Sequence, residues 1–457
     1  MSHVAHPERW GLHALPTGEL ALGNHGLCGL ARKYGTPVHI LNERKLMEDA
    51  SAFLREAAAS YPGRVSVSYA MKCNSVPAVV DAVLHAGLSL EVMTPFELTL
   101  ALKLGCPADH IVVNGPCKTE EFLAACVGAG VRFIIVDAIE ELRILDRVAR
   151  MRGAVADILL RVNPDFTPRG VSAGSATASR KGCAFGLDLK GGEVTRAFAL
   201  LGGLTGTRFR GFHLHIGTGI RHAADYARAL RCLVSLDRTA RDAGFGIDVL
   251  DVGGGFPAQN TWEMAAGEML LYQAFGRLAH EGRQKRCSPR AEYFASLSRS
   301  LTEYFAGRPL PEILFEPGRC IASAAQFLLL TIHRVKDRPG AGRWLIADGG
   351  LSTVTLPTFY EYHEILLCND VFRPQRSRAT IVGPACFAGD VIYRNRRMSA
   401  VQPGEVIAVM DSGAYFTALE SSFGFPRPPL VAVNGATCKL VRTRETFDEM
   451  LGRDLFD

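Results

Sequence analysis

The sequence predicts an α/β protein: a (β/α)8 TIM-type barrel followed by a C-terminal all-β domain, sandwich-like or barrel-like. Three observations predict it. From about residue 40 to 320, eight short apolar runs alternate with amphipathic helical patterns. Beyond about residue 325 the helical patterns nearly vanish, and β-rich runs are separated by Gly, Pro and Asp turns. The length, 457 residues, exceeds what one core usually organises.

The predicted barrel strands are Val65–Met71, Leu88–Val92, Ile111–Asn114, Phe133–Val136, Ile158–Val162, Arg208–His215, Val249–Val252 and Ile313–Glu316. Between them lie helical patterns such as Ser75–Ala86, Pro95–Leu104, Thr119–Ala129, Ile139–Arg152 and Ala223–Ala243. Thr94-Pro95 reads as an N-cap with a first-turn proline, and Gly105 and Gly244 read as helix stops. Strand–helix alternation implies parallel strands joined by right-handed crossovers. The expected domains are residues 39–322 (barrel) and 323–457 (β domain), with residues 1–38 packing against the latter. Asp165–Gly182 and Gln259–Arg308 stand out as irregular segments near the carboxyl ends of strands five and seven.

Composition excludes several classes. A formal net charge of +5 with scattered basic residues gives no nucleic-acid footprint. No uninterrupted apolar run is long enough to cross a bilayer. Residues 1–20 carry His, Glu, Arg and Pro in place of the apolar core of a secretory signal, so a cytoplasmic location is expected. The twelve cysteines form no CxxC pair and no zinc-like spacing, so they read as reduced thiols and no metal is expected.

In a closed barrel the chemistry sits at the carboxyl ends of the strands, on one rim. Lys72, Glu91, Asn114, Asp137, Arg161, His215, Gly253–Gly255 and Glu316–Arg319 all fall there. Lys72 ends an apolar stretch, where partial desolvation disfavours the ammonium and makes the amine a usable nucleophile toward an aldehyde. The run Gly253-Gly254-Gly255 can turn tightly and present N–H groups to a phosphate. His213 and His215, two apart, are expected on one strand face. His215 suits stacking on a flat cofactor ring, with Thr218 reaching a phosphate, while His213 reads as a core histidine. Glu316 is a carboxylate delivered from an apolar strand, which requires a positive partner. A pyridinium nitrogen is one such partner, and Arg161 or Arg319 is the alternative. In the β region, Cys386 and Tyr415 are polar residues capable of proton transfer in Gly-rich turns.

Together these segments resemble the fold-type III pyridoxal-phosphate decarboxylases, the group of diaminopimelate and ornithine decarboxylases, over about residues 35 to 435. The resemblance implies that Lys72 forms the internal aldimine with pyridoxal 5'-phosphate, that His215 stacks on its ring and that Glu316 binds its pyridine nitrogen. It implies further that Thr218, Gly253, Gly254, Gly255, Gly318, Arg319 and Tyr415 surround the phosphate or the polar end of the substrate. Cys386 would come from a second subunit of a homodimer with shared active sites. It would reprotonate the quinonoid left by loss of carbon dioxide. Arg319, Phe387, Tyr360 and Tyr415 are the expected substrate contacts.

The motifs also depart from that family. Diaminopimelate decarboxylases carry glutamate after the catalytic cysteine and ornithine decarboxylases carry aspartate; here the position is Phe387. The arginine expected before the Leu356–Glu364 segment is missing, and Ser-Lys-Phe-Gly appears as Cys183-Ala184-Phe185-Gly186. A distal charge buried without its partner costs several kcal/mol. The expected substrate is therefore an amino acid or amino-acid-derived biosynthetic intermediate other than diaminopimelate, a carrier-tethered aminoacyl group being one candidate. An amino-acid racemase of the same barrel is the alternative, disfavoured by Glu316. A non-catalytic pyridoxal-phosphate-binding regulator is another, disfavoured by the presence of both Lys72 and Cys386.

Overall fold

The computed structural model describes residues 6–169, 182–276, 287–354 and 361–455. The chain divides into two compact units. One comprises residues 49–257 and 286–319; the other comprises 1–48, 258–285 and 320–457.

The first unit is a closed parallel barrel. Its strands are β1 (Val65–Ala70), β2 (Ser89–Val92), β3 (Ile111–Val113), β4 (Phe133–Val136), β5 (Ala156–Asn163), β6 (Thr207–His213), β7 (Val249–Asp251) and β8 (Glu312–Phe315). Each pairs in parallel with the next, and β8 returns to β1 through Ile313↔Val65 and Phe315↔Val67. Closure removes every exposed sheet edge. The strands are short and β-branched because both faces are covered. Val112, Phe133, Ile135, Leu159, Val249 and Leu314, from β3, β4, β5, β7 and β8, form one buried cluster. Helices follow where the sequence signals place them. Thr94 caps Pro95–Lys103 by accepting the Glu97 N–H, and Gly105 and Gly244 lie beyond helix ends with positive φ of 81° and 84°.

Two local differences from the sequence reading shape the rim. Strand β1 stops at Ala70, and Met71–Cys73 forms a single 3-10 turn that carries Lys72. Strand β6 stops at His213, so His213 and His215 do not share a strand face as expected. A register irregularity falls between Phe209 and Gly211, and pairing resumes as far as His213. His215 sits in the loop beyond the strand.

Aromatic packing outside β7 and β8 then fixes the glycine loop. Phe53, Phe294 and Phe315 surround Phe256, with Phe53–Phe294 and Phe53–Phe256 edge-to-face at 5.1 and 5.2 Å. Tyr226 stacks on Phe256 at 4.7 Å and donates from its Oη to the Gly254 carbonyl at 2.6 Å. Edge-to-face pairs contribute about 0.5–1.5 kcal/mol each beyond area burial.

The second unit is β-rich. Its long strand Gln326–Arg338 pairs with Val38–Asn42, Gly342–Ala347 and Val406–Val409. Both faces of that strand are buried near its start: Phe327 and Leu329 enter one apolar cluster, Leu328, Leu330 and Ile332 another. Val38–Asn42 lies between this strand and Leu430–Asn434. Of the segment Gln259–Arg308, expected as an insertion between barrel strands seven and eight, residues 259–276 belong to this unit, where Trp262–Glu263 pairs antiparallel with Glu361–Tyr362. Among the described residues, no helix is long and apolar enough to cross a membrane.

Candidate active site

The barrel rim gathers Lys72, Glu91, Asn114, Arg161, His213, His215, Asp251, Gly253–Gly255 and Glu316. Lys72 follows β1, and its Nζ lies 2.6 Å from Oε2 of Glu91 on the neighbouring strand β2. Its side chain remains 30% exposed, so the amine is reachable. The sequence reading invoked desolvation alone; the structure adds a carboxylate that favours the ammonium. Burial pushes the Glu91 carboxyl up to about 7, with Lys72 opposing it.

Glu316, just past β8, is the hub of the site floor. Asn114 Nδ2 donates toward both of its carboxylate oxygens at 3.3 Å, and His213 Nε2 lies 3.3 Å from Oε2. Burial raises the carboxyl, but His213 and the nearby Lys72 outweigh it and hold it at about 2. Arg161 reaches Asn114 Oδ1 at 3.4 Å, pairs with Asp137 at 3.3 Å and lies over the Phe185 ring at 4.4 Å. The arginine alternative for Glu316 is thus not taken by Arg161, which is committed to Asp137.

His215 accepts the Gly254 N–H at Nδ1, 3.3 Å away, so its free proton is on Nε2. Burial beside Lys72 and Arg161 lowers it to about 3, leaving a neutral ring. The glycines are required by space. A Cβ on Gly253, Gly254 or Gly255 would stand 2.6, 2.3 or 2.1 Å from the carbonyl oxygens of Leu214, Glu316 and Gly217. Thr218 follows Gly217 in the same loop. Gly318 backs onto Cys73, where a Cβ would meet the cysteine Cβ at 2.8 Å, so its position braces the lysine turn. Arg319 is buried at the start of the turn Arg319–Ala322.

The β-rich unit holds the other expected residues. Cys386 is exposed in a loop organised by Asp390, whose carboxylate accepts the N–H groups of Ala385 and Leu351 at 2.8 and 2.6 Å. Phe387 is 53% exposed, its ring centroid 6.1 Å from that of Phe423. Tyr415 adopts a left-handed conformation (φ 67°) before the short helix Phe416–Leu419. Tyr360 lies outside the described residues. Sequence reasoning noted Glu91, Asn114 and Asp137 as rim positions without pairing them, and gave Asp251 no role. Their location at strand ends was the available signal.

A family model described as the pyridoxal-binding domain of pyridoxal-dependent decarboxylases matches residues 47–323. The diaminopimelate decarboxylase of Aquifex aeolicus is 30% identical over 433 residues, 94% of each chain. That of Actinosynnema pretiosum is 31% identical over 454 residues, covering 96% of this chain and 94% of the relative. The crystal structure of the diaminopimelate decarboxylase from M. jannaschii, 24% identical, superposes with a TM-score of 0.86 over 98% of both chains. The residues present fit the cofactor that the family model names. A reachable lysine amine, an ionised carboxylate, a neutral imidazole and a glycine cradle with no room for side chains surround one rim. The chain belongs to the pyridoxal-dependent decarboxylases and is a carboxy-lyase that uses pyridoxal 5'-phosphate.

Proposed function

We propose that this decarboxylase acts on an amino acid or amino-acid-derived intermediate whose side chain ends without a charge that must be gripped beside Cys386. The observation that carries this reading is Phe387. It presents a half-exposed ring in contact with Phe423 at the position where a carboxylate is expected. A distal ammonium placed there loses its counter-ion, at a cost of several kcal/mol if buried. An apolar or conjugated side chain is favoured by about 25 cal/mol per Å² of area it buries.

Bound pyridoxal phosphate supplies the electron sink for the pair left on Cα when carbon dioxide departs. Lys72 would hold the cofactor through Nζ, with Glu91 beside that amine at 2.6 Å. Glu316, kept ionised, would hold the proton of the pyridine nitrogen. Neutral His215, fixed by the Gly254 N–H, would offer its ring face. The N–H groups of Gly253–Gly255, with Thr218, Arg319 and Tyr415, would take the phosphate or the substrate's polar end. Cys386, from a second copy of the chain, would return a proton to Cα.

The substrate test is a panel of free and carrier-tethered amino acids that includes meso-diaminopimelate, the substrate class named in the relatives. Carbon dioxide and amine product are followed by mass. Efficient turnover of meso-diaminopimelate with little activity elsewhere refutes the altered specificity. The shared site is tested by mixing inactive Lys72→Ala and Cys386→Ala proteins. Random exchange in a symmetric dimer leaves half of the molecules with one intact site, restoring about a quarter of wild-type activity. No recovery refutes sharing.

A further inference from the structure

Asp251 has no part in the chemistry above, yet it is fully buried beside Glu316. It ends β7, and Glu316 follows β8, the next strand. The two strand ends are locked together by Val252 N–H to Leu314 O at 3.0 Å and Glu316 N–H to Gly253 O at 2.9 Å. The side chains of His213, Asp251 and Glu316 bring donor or acceptor atoms within 4.8 Å of one another. Two carboxylates so placed cannot both be anions at low cost.

Lys72 pairs with Glu91 and Arg161 with Asp137, so the positive charge that reaches Glu316 from Lys72 is shared with a second carboxylate. Glu316 receives Asn114 on both oxygens and His213 on one. Among the described residues, Asp251 receives a single donor, the Gly253 N–H on Oδ1 at 2.8 Å, and its Oδ2 accepts no hydrogen bond. The carboxylate with more donors keeps the charge, and the one with fewer keeps the proton.

We propose that Asp251 is a proton-bearing positioning residue, whose neutral carboxyl donates from Oδ2 to Glu316 and holds that carboxylate ionised and aimed at the cofactor's pyridine nitrogen. This rests on the reading of Glu316 as the ring's partner. Burial and the Glu316 charge raise the Asp251 carboxyl well above its ordinary range, in the same direction.

The test compares wild-type, Asp251→Asn, Asp251→Ala and Glu316→Gln holoproteins by cofactor dissociation constant and by the visible band of the bound cofactor. Infrared difference spectra complete it. Asparagine keeps a neutral donor toward Glu316 and an acceptor for Gly253, so Asp251→Asn retains the band and holds affinity within about threefold. Alanine removes the donor, shifts the band and weakens cofactor binding about tenfold or more. The wild type shows a protonated-carboxyl stretch that disappears in Asp251→Asn; should the alanine protein not fold, this band and the asparagine variant decide. An asparagine variant that loses the wild-type band and affinity, a silent alanine variant, or an absent carboxyl stretch overturns the proposal. If Glu316→Gln leaves both band and affinity unmoved, the ring-partner reading itself falls. If Glu316→Gln moves them and Asp251→Ala does not, only the role of Asp251 falls.

Discussion

Replacing Gly254 by alanine tests the glycine cradle most directly. The added Cβ would lie 2.3 Å from the Glu316 carbonyl oxygen. Ordinary van der Waals contact begins at 3.4 Å, so the overlap is 3.4 − 2.3 = 1.1 Å, against backbone rather than a flexible side chain. That backbone cannot yield locally, because Glu316 N–H is bonded to Gly253 O at 2.9 Å and Gly254 O accepts Tyr226 Oη at 2.6 Å. The ends of β7 and β8 must therefore separate, displacing Glu316 and His215 together. Overpacking of this kind costs about 1–3 kcal/mol of stability. A misplacement of about 1 Å costs about a hundredfold in rate. The assays are thermal unfolding and spectroscopic titration with pyridoxal phosphate. The control is Gly267→Ala, a helical position where a Cβ meets nothing within 4 Å. Gly254→Ala is expected to melt lower and to bind the cofactor at least about tenfold more weakly, a difference of about 1.4 kcal/mol. Wild-type melting and affinity in Gly254→Ala would refute the reasoning.

Three further outcomes follow from the same structure. Glu91→Gln removes the anion 2.6 Å from Lys72, so the free amine should persist to lower pH. The pH midpoint for borohydride-trapped pyridoxyl attachment should fall, and an unchanged midpoint contradicts the pair. Phe387→Glu should raise turnover of substrates with a distal ammonium relative to apolar ones by about tenfold or more, read as a ratio of kcat/KM; an unmoved ratio removes Phe387 from specificity. His39, fully buried in the β-rich unit, is lowered by burial, with Arg442 adding to it, from 6.5 to about 3. The unfolded chain then binds the extra proton below pH 6.5, so stability falls as pH drops from 6.5 toward 3. The loss is about 2 kcal/mol by pH 5. His39→Asn should flatten this acid limb in thermal melts, and an equally steep limb locates the acid sensitivity elsewhere.

The barrel was legible because each strand and helix announces itself within a window of a dozen residues. Val65–Ala70 alternates apolar residues with serine, Phe133–Val136 is wholly apolar, and Thr94-Pro95 and Gly105 mark helix ends by local backbone chemistry. Where the sequence reading slipped, the cause was non-local. Strand β6 ends at His213, where its pairing with β5 and β7 stops, so His215 lies off the strand. Pairing of Trp262–Glu263 with Glu361–Tyr362 ties residues 259–276 to the β-rich unit. Neither partner is visible from its own end of the chain.

The sequence by itself determined the eight strands and the positions on the active rim, since strand periodicity and strand-end chemistry are local properties, and its resemblance to a known family implied the cofactor class. It also exposed Phe387 as a departure in the substrate region. Only the tertiary structure decided who pairs with whom: Lys72 with Glu91, Arg161 with Asp137, and Asn114 and His213 with Glu316. Asn114 and Glu316 are 202 residues apart and meet because the barrel closes. The proton assigned to Asp251 has the same origin, because a carboxyl's charge state depends on which donors and carboxylates closure sets beside it.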